Sequence, residues 1–298
     1  MEKKMSTGKN IWRFIYPFLI NLAVQYAVIF AFEFSKIAEY LNKFTTFDFT
    51  SQAEMSKLVE WLEKEVFSSG MLITAIADAL LIVVLLIFYF LDKKKWDTEN
   101  PLSSGSEKSP LPYAMSAFIG VGCCIFFNIL LAIIVAFATR VFGEGIMQSY
   151  DATEELLKNA SLALEIVSAV IIGPIAEELL VRGLVFKRMR SYAGFGISAL
   201  VSAIAFGIMH GNWVQFLYAV PIGLICAFVF EYTKSLIAPI LLHIFANGIS
   251  TLMSMDLLSP YFNNAMFGIP MTLTVALSAA VIVTGMISVK KLHEQKND

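Results

Sequence analysis

The chain has 298 residues, 57% of them hydrophobic and 15% charged, with a formal net charge of −2 and a mean hydropathy of +0.70. Soluble domains carry about 25% charged residues, so an ordinary water-soluble domain is excluded. The lack of a basic tract argues against nucleic acid as a partner. Repeated apolar runs of about 20 residues instead predict an all-α, multi-pass membrane protein with about eight transmembrane helices.

In chain order, Lys3, Lys4, Lys9 and Arg13 precede a first span predicted at 12–32. That run is long enough to span and no small-residue cleavage site follows it, so it is expected to be a retained helix and not a signal peptide. Within 33–69, Ser51 and Glu54 have the spacing of a capping box, and Met55, Leu58, Val59, Leu62 and Val66 recur at helical spacing. This predicts an amphipathic helix lying on the membrane surface. A second span, 70–91, ends at Lys93, Lys94 and Lys95, and a Pro/Ser/Gly loop from Pro101 to Pro112 leads into a third at 113–139. The fourth starts near Leu162 and runs to Met189. The fifth covers 195–211, the sixth 214–231, the seventh 235–255 and the eighth 270–289. With eight spans, the basic clusters at 3–13, 93–95, 187–190, Lys234 and 290–291 fall on one side, which the positive-inside rule places in the cytoplasm with both termini. The chain then divides into an N-terminal two-span segment, 1–112, bearing an extracytoplasmic amphipathic helix, and a catalytic helical core, 113–298. Cys123, Cys124 and Cys226 lie in apolar runs without metal-type spacing and read as small core residues.

The fourth span contains Gly-Pro-Ile-Ala-Glu-Glu-Leu-Leu-Val-Arg, residues 173–182. Charges in lipid are costly and are mostly paired or functional. Glu178 and Arg182 stand at i,i+4 and can neutralise each other; Glu177 points about 100° away and has no such partner in its own helix. His210 and His243 fall in the fifth and seventh spans, whereas His293 belongs to a polar tail expected to be solvated. At about 1.5 Å per residue, Glu177 lies roughly 15 Å from Lys187, His210 roughly 21 Å from Gly196 and His243 roughly 12 Å from Ser235, so the three can meet at one level. Phe206 shares a face with His210, and Asn247 with His243. Pro174 and Pro239 each precede a motif residue by one turn and are expected to kink their helices, while Gly173, Gly183, Gly207 and Gly211 allow close backbone approach. Asp78 is a further acid inside a span, expected to pair with a neighbouring helix. Asn21, Gln25 and Asn128 read as interhelical hydrogen-bond residues, and Glu165 as interfacial.

Such a set suits peptide-bond hydrolysis. A glutamate can act as general base on water, a histidine can hold that water, and Asn and His can donate to the oxyanion of a tetrahedral intermediate. Glu177, His210 and His243 also make a plausible zinc shell with a fourth position for water.

Taken together, Glu177-Glu178-x-x-x-Arg182, Phe206-x-x-x-His210 and His243-x-x-x-Asn247 resemble the three motifs of the CAAX protease and bacteriocin-processing (Abi) family, which includes the type II CAAX prenyl endopeptidases. The resemblance covers about 160–255. It implies an eight-helix intramembrane endopeptidase opening towards the cytosol, with a membrane-associated or lipidated peptide or protein as substrate. By this likeness Glu177 would activate water, His210 would position it, His243 and Asn247 would form the oxyanion hole, and Glu178, Arg182 and Phe206 would support them. The expected mechanism is metal-free, with zinc on Glu177, His210 and His243 as the alternative. A bacterial plasma membrane is the expected location. Two other functions remain compatible with the residues: a non-catalytic immunity or regulatory protein, and a proton-coupled transporter using Glu177, Asp78 and the histidines.

Overall fold

The computed structural model describes residues 7–43, 47–99, 109–147, 155, 160–254 and 271–297; most of the loop expected at 101–112 lies outside them. Among the described residues the long elements are helices, and no strand occurs. They are α1 (Thr7–Lys43), α2 (Gln52–Ser68), α3 (Gly70–Glu99), α4 (Leu111–Phe142), a composite α5 (residues 162–190), α6 (Phe195–Met209), α7 (Trp213–Thr233), α8 (Ile237–Ser254) and α9 (Met271–Asn297). Six of these, α1, α3, α4, α7, α8 and α9, contain stretches long and apolar enough to cross a membrane. The chain is therefore a multi-pass membrane protein.

Two of the eight predicted spans depart from that standard, each for a physical reason. The fourth, α5, is broken: helical segments Leu162–Glu165, Gly173–Glu178 and Lys187–Arg190 alternate with wider π-helical segments Ile166–Ile172 and Leu179–Phe186. Pro174 lacks an N–H, and its ring crowds the carbonyl four residues back. The preceding turn opens to five-residue spacing, with the Gly173 N–H donating to Ser168 O. The fifth span, α6, has 15 residues, or about 22 Å, against roughly 30 Å of hydrocarbon. It stops at His210, and Gly211 takes a positive φ of 72°, which glycine adopts without steric cost. Asn212 then caps α7 by accepting the Gln215 N–H at 2.8 Å. His210 thus sits at a hairpin turn and not inside a span.

Among the described residues, two of three buried apolar clusters join most of the helices. One joins α3, α5, α6 and α7 through Leu81, Leu85, Leu180, Leu184, Phe206 and Ala219. The other joins α4, α7, α8 and α9 through Ile119, Cys123, Cys226, Leu242 and Ile282. Gly120 permits the α4–α8 crossing, since a Cβ there would overlap the Leu242 carbonyl. Gly211, expected to allow close approach, has open space at its Cβ position and serves the turn instead. Pro239 lies in the first turn of α8, where an N–H would have no partner within the helix. All three cysteines are buried and free.

The basic ends gather on one face. Arg188 donates to Asp92 at 2.5 Å, to Arg13 O at 2.8 Å and to the Tyr16 hydroxyl at 2.6 Å. Arg13 reaches the Tyr192 hydroxyl, and Arg190 and Lys234 both meet Glu231. His293 packs edge-on to Tyr232, so the residue expected to be solvated is half-buried. Lys36 ties α1 to α2 through Glu65 at 2.8 Å, while Met55 and Val59 of α2 remain exposed. The capping box is half-made: Ser51 accepts the Glu54 N–H, but the Glu54 carboxylate accepts from Asp48 N–H.

Candidate active site

The composite helix α5 presents two adjacent glutamates to different surroundings. Glu178 and Arg182, both with no exposed side-chain surface, are 2.7 Å apart. Arg182 also donates to Gly223 O of α7 at 2.8 Å and stacks over the Phe206 ring at 4.8 Å. The two charges are thus paired and tied to α7, as burial demands, while Glu178 Oε2 and Arg182 Nε have no hydrogen-bond partner among the described residues. Glu177 is the exposed member: 31% of its side chain is accessible, and it lines a cavity of about 260 Å³.

His243 of α8 stands between the two carboxylates. Its Nε2 is 3.7 Å from Glu177 Oε2 and its Nδ1 is 3.3 Å from Glu178 Oε1, the latter off the hydrogen-bond axis. Phe206 meets both imidazoles edge to face, with centroids 4.9 Å from His210 and 5.6 Å from His243. One buried ring therefore walls His210, His243 and Arg182 together. His210 Nδ1 lies 2.9 Å from Phe206 O. A carbonyl can only accept, so Nδ1 carries the proton and, in the neutral ring, Nε2 is left as an acceptor. His210 and Glu177 line the same cavity.

Asn247 is placed differently from the other motif residues. Its Nδ2 donates to Ala169 O at 2.9 Å. In the five-residue register before Pro174, the donor to Ala169 would be residue 174, which has no N–H. Asn247 thus fills the bond that Pro174 cannot make, and it pins α8 to α5. One hydrogen of its amide remains.

The cavity also contains residues of α1 and α3. Gln25 of α1 donates to Asp78 Oδ1 of α3 at 2.8 Å, and both line the cavity with Asn21 and Thr74. The Gln25–Asp78 bond matches the expected pairing between helices; the shared cavity does not follow from pattern. Helix arithmetic carried the signal: Asp78 lies 14 residues before Asp92, about 21 Å from the basic face. Asn128, expected to bond between helices, instead donates to Cys124 O in its own helix. Glu165 accepts from Thr251 of α8. Among the described residues no three His, Cys, Asp or Glu side chains are grouped at metal-ligand spacing.

The comparisons with known proteins agree on one region. A family model described as type II CAAX prenyl endopeptidase Rce1-like matches residues 159–249, which include Glu177, Glu178, Arg182, Phe206, His210, His243 and Asn247. The chain is 27% identical over 179 residues to "Putative membrane peptidase YdiL" of Bacillus subtilis, covering 60% of this chain and 69% of that protein. It is 26% identical over 159 residues to "Membrane-embedded CAAX protease MroQ" of Staphylococcus aureus, covering 50% and 62% respectively. No solved structure matches the chain. The family model and the two named relatives together support a membrane peptidase of the CAAX-protease type, with residues 159–249 as the part that resembles the Rce1-like family.

Proposed function

We propose that the chain is an intramembrane endopeptidase that hydrolyses a peptide bond of a membrane-associated peptide or protein through water activated by Glu177. The observation that carries this reading is the setting of Glu177. Its accessible carboxylate shares a cavity with His210 and lies 3.7 Å from His243. Water held against His210 Nε2 gives a proton to Glu177 as its oxygen adds to the scissile carbonyl. The oxyanion accepts hydrogen bonds from His243 Nε2–H and from the Asn247 amide hydrogen not used on Ala169. Collapse breaks the C–N bond, and Glu177 returns its proton to the leaving amine. Glu178 and Arg182 hold α5 against α7 and leave Glu177 free to react. The catalytic role lies in 113–298, with 1–112 walling one side of the cavity, and the basic face with both termini turned to the cytoplasm.

The test is a comparison of membrane peptides from cells producing the wild type or Glu177→Ala at equal levels of inserted protein. Truncated peptides present with the wild type and missing with the variant are expected. Identical peptide profiles would overturn the proposal.

A further inference from the structure

Opposite Glu177 the cavity is closed by helices outside the matched domain, and that wall is polar. α1 supplies Asn21 and Gln25, and α3 supplies Thr74 and Asp78. Gln25 fixes the Asp78 carboxyl through Oδ1, leaving Oδ2 without a hydrogen-bond donor among the described residues. Oδ2 faces Gly173, whose Cβ, if present, would lie 3.8 Å away. Other acids in this fold have a cation at hand: Glu178 has Arg182, Asp92 has Arg188 and Glu231 has Arg190. Among the described residues Asp78 has only a neutral amide, and no lysine or arginine lines the cavity.

A carboxyl group inside a membrane is held either as the neutral acid or as a carboxylate with a compensating cation. As a carboxylate, with Glu177 in the same low-dielectric space, it sets up a field that draws in a cation and repels a carboxylate. We propose that Asp78, oriented by Gln25, determines specificity at this site, selecting substrates with a lysine or arginine side chain beside the scissile bond. This rests on the peptidase reading. An ammonium or guanidinium on Asp78 Oδ2 forms a charge-assisted hydrogen bond and supplies the cation that the protein omits. An acidic residue in the same place meets two like charges, which discriminates against it. The cavity, about 260 Å³, is large enough for a side chain and the attacking water.

The experiment uses the purified full-length chain and a library of synthetic peptides, each carrying an N-terminal palmitoyl chain and varied in its central residues. Cut sites are read by mass spectrometry for the wild type, Asp78→Asn and Glu177→Gln. The Asp78→Asn change keeps the size of the side chain and an oxygen for Gln25. The wild type is expected to favour Lys or Arg over Asp or Glu by about tenfold at one position within two residues of the cut, the effect of one charge-assisted bond. Asp78→Asn should lose that preference, its ratio of rates for Lys or Arg peptides over neutral ones falling by about tenfold. With Glu177→Gln inactive, the inference alone is overturned if the wild type shows no such preference, if Asp78→Asn retains it, or if Asp78→Asn slows every peptide equally. If the wild type cuts nothing, or Glu177→Gln cuts as well as the wild type, the peptidase reading falls and this inference falls with it.

Discussion

Glu177 and Glu178 are neighbours in sequence with opposite environments, and the difference assigns their work. Glu178 is sealed with Arg182 behind Phe206; Glu177 faces the cavity. Removing one member of a buried pair strands the other charge, at about 3–5 kcal/mol. Arg182→Met is therefore expected to lower thermal stability in detergent by that order, and the double variant Arg182→Met, Glu178→Gln to lose clearly less. Equal losses would show that the pair is not coupled. A metal-free reaction carries its own expectation at this scale: dialysis against a chelator leaves the cleavage rate unchanged. A rate lost to the chelator and restored by zinc would replace glutamate-activated water with a zinc-bound nucleophile.

The elements set these residues through features that pattern shows only in part. The i,i+4 pairing of Glu178 with Arg182 was legible, because helical periodicity alone dictates it. The π-helical turn before Pro174 was not, since a proline in a helix announces a disturbance without saying whether the turn kinks or widens. For that reason Asn247 was assigned only to the oxyanion, and its bond to Ala169 O was missed. The two residues make a testable couple. Asn247→Ala leaves a buried carbonyl without a donor and is expected to cost about 1–3 kcal/mol in stability. Pro174→Ala restores an N–H at the position that can serve Ala169, so Asn247→Ala should cost less in the Pro174→Ala background. Additive losses, measured by thermal unfolding, would show that proline and asparagine act independently. His210 illustrates a second limit. Its depth could be estimated from helix rise, but the end of α6 beneath it depends on Gly211 taking a positive φ, which the apolar run through residue 211 conceals.

For the whole molecule, composition was enough to specify a helical membrane protein, and each predicted apolar run became helix. Which spans would face one another depended on contacts between residues distant in sequence, so the cavity shared by α1, α3 and α5 was not legible. The clustering of Arg13, Asp92, Arg188, Arg190 and Glu231 places several helix ends on one face. That arrangement gives a topology test, for which the buried native cysteines leave little background. A cysteine introduced at Ser191 should react with an impermeant maleimide only from the cytoplasmic side, and one at Ser68 only from outside. Labelling of both from the same side would reject the orientation. The central claim, that the Glu177 carboxylate performs the hydrolysis, is tested most directly by cleavage of palmitoylated peptides with purified protein in liposomes, wild type against Glu177→Gln. Loss of a general base should lower the rate by about 10²–10⁴-fold with unchanged insertion and thermal stability; a variant that cuts as fast as the wild type would contradict the account.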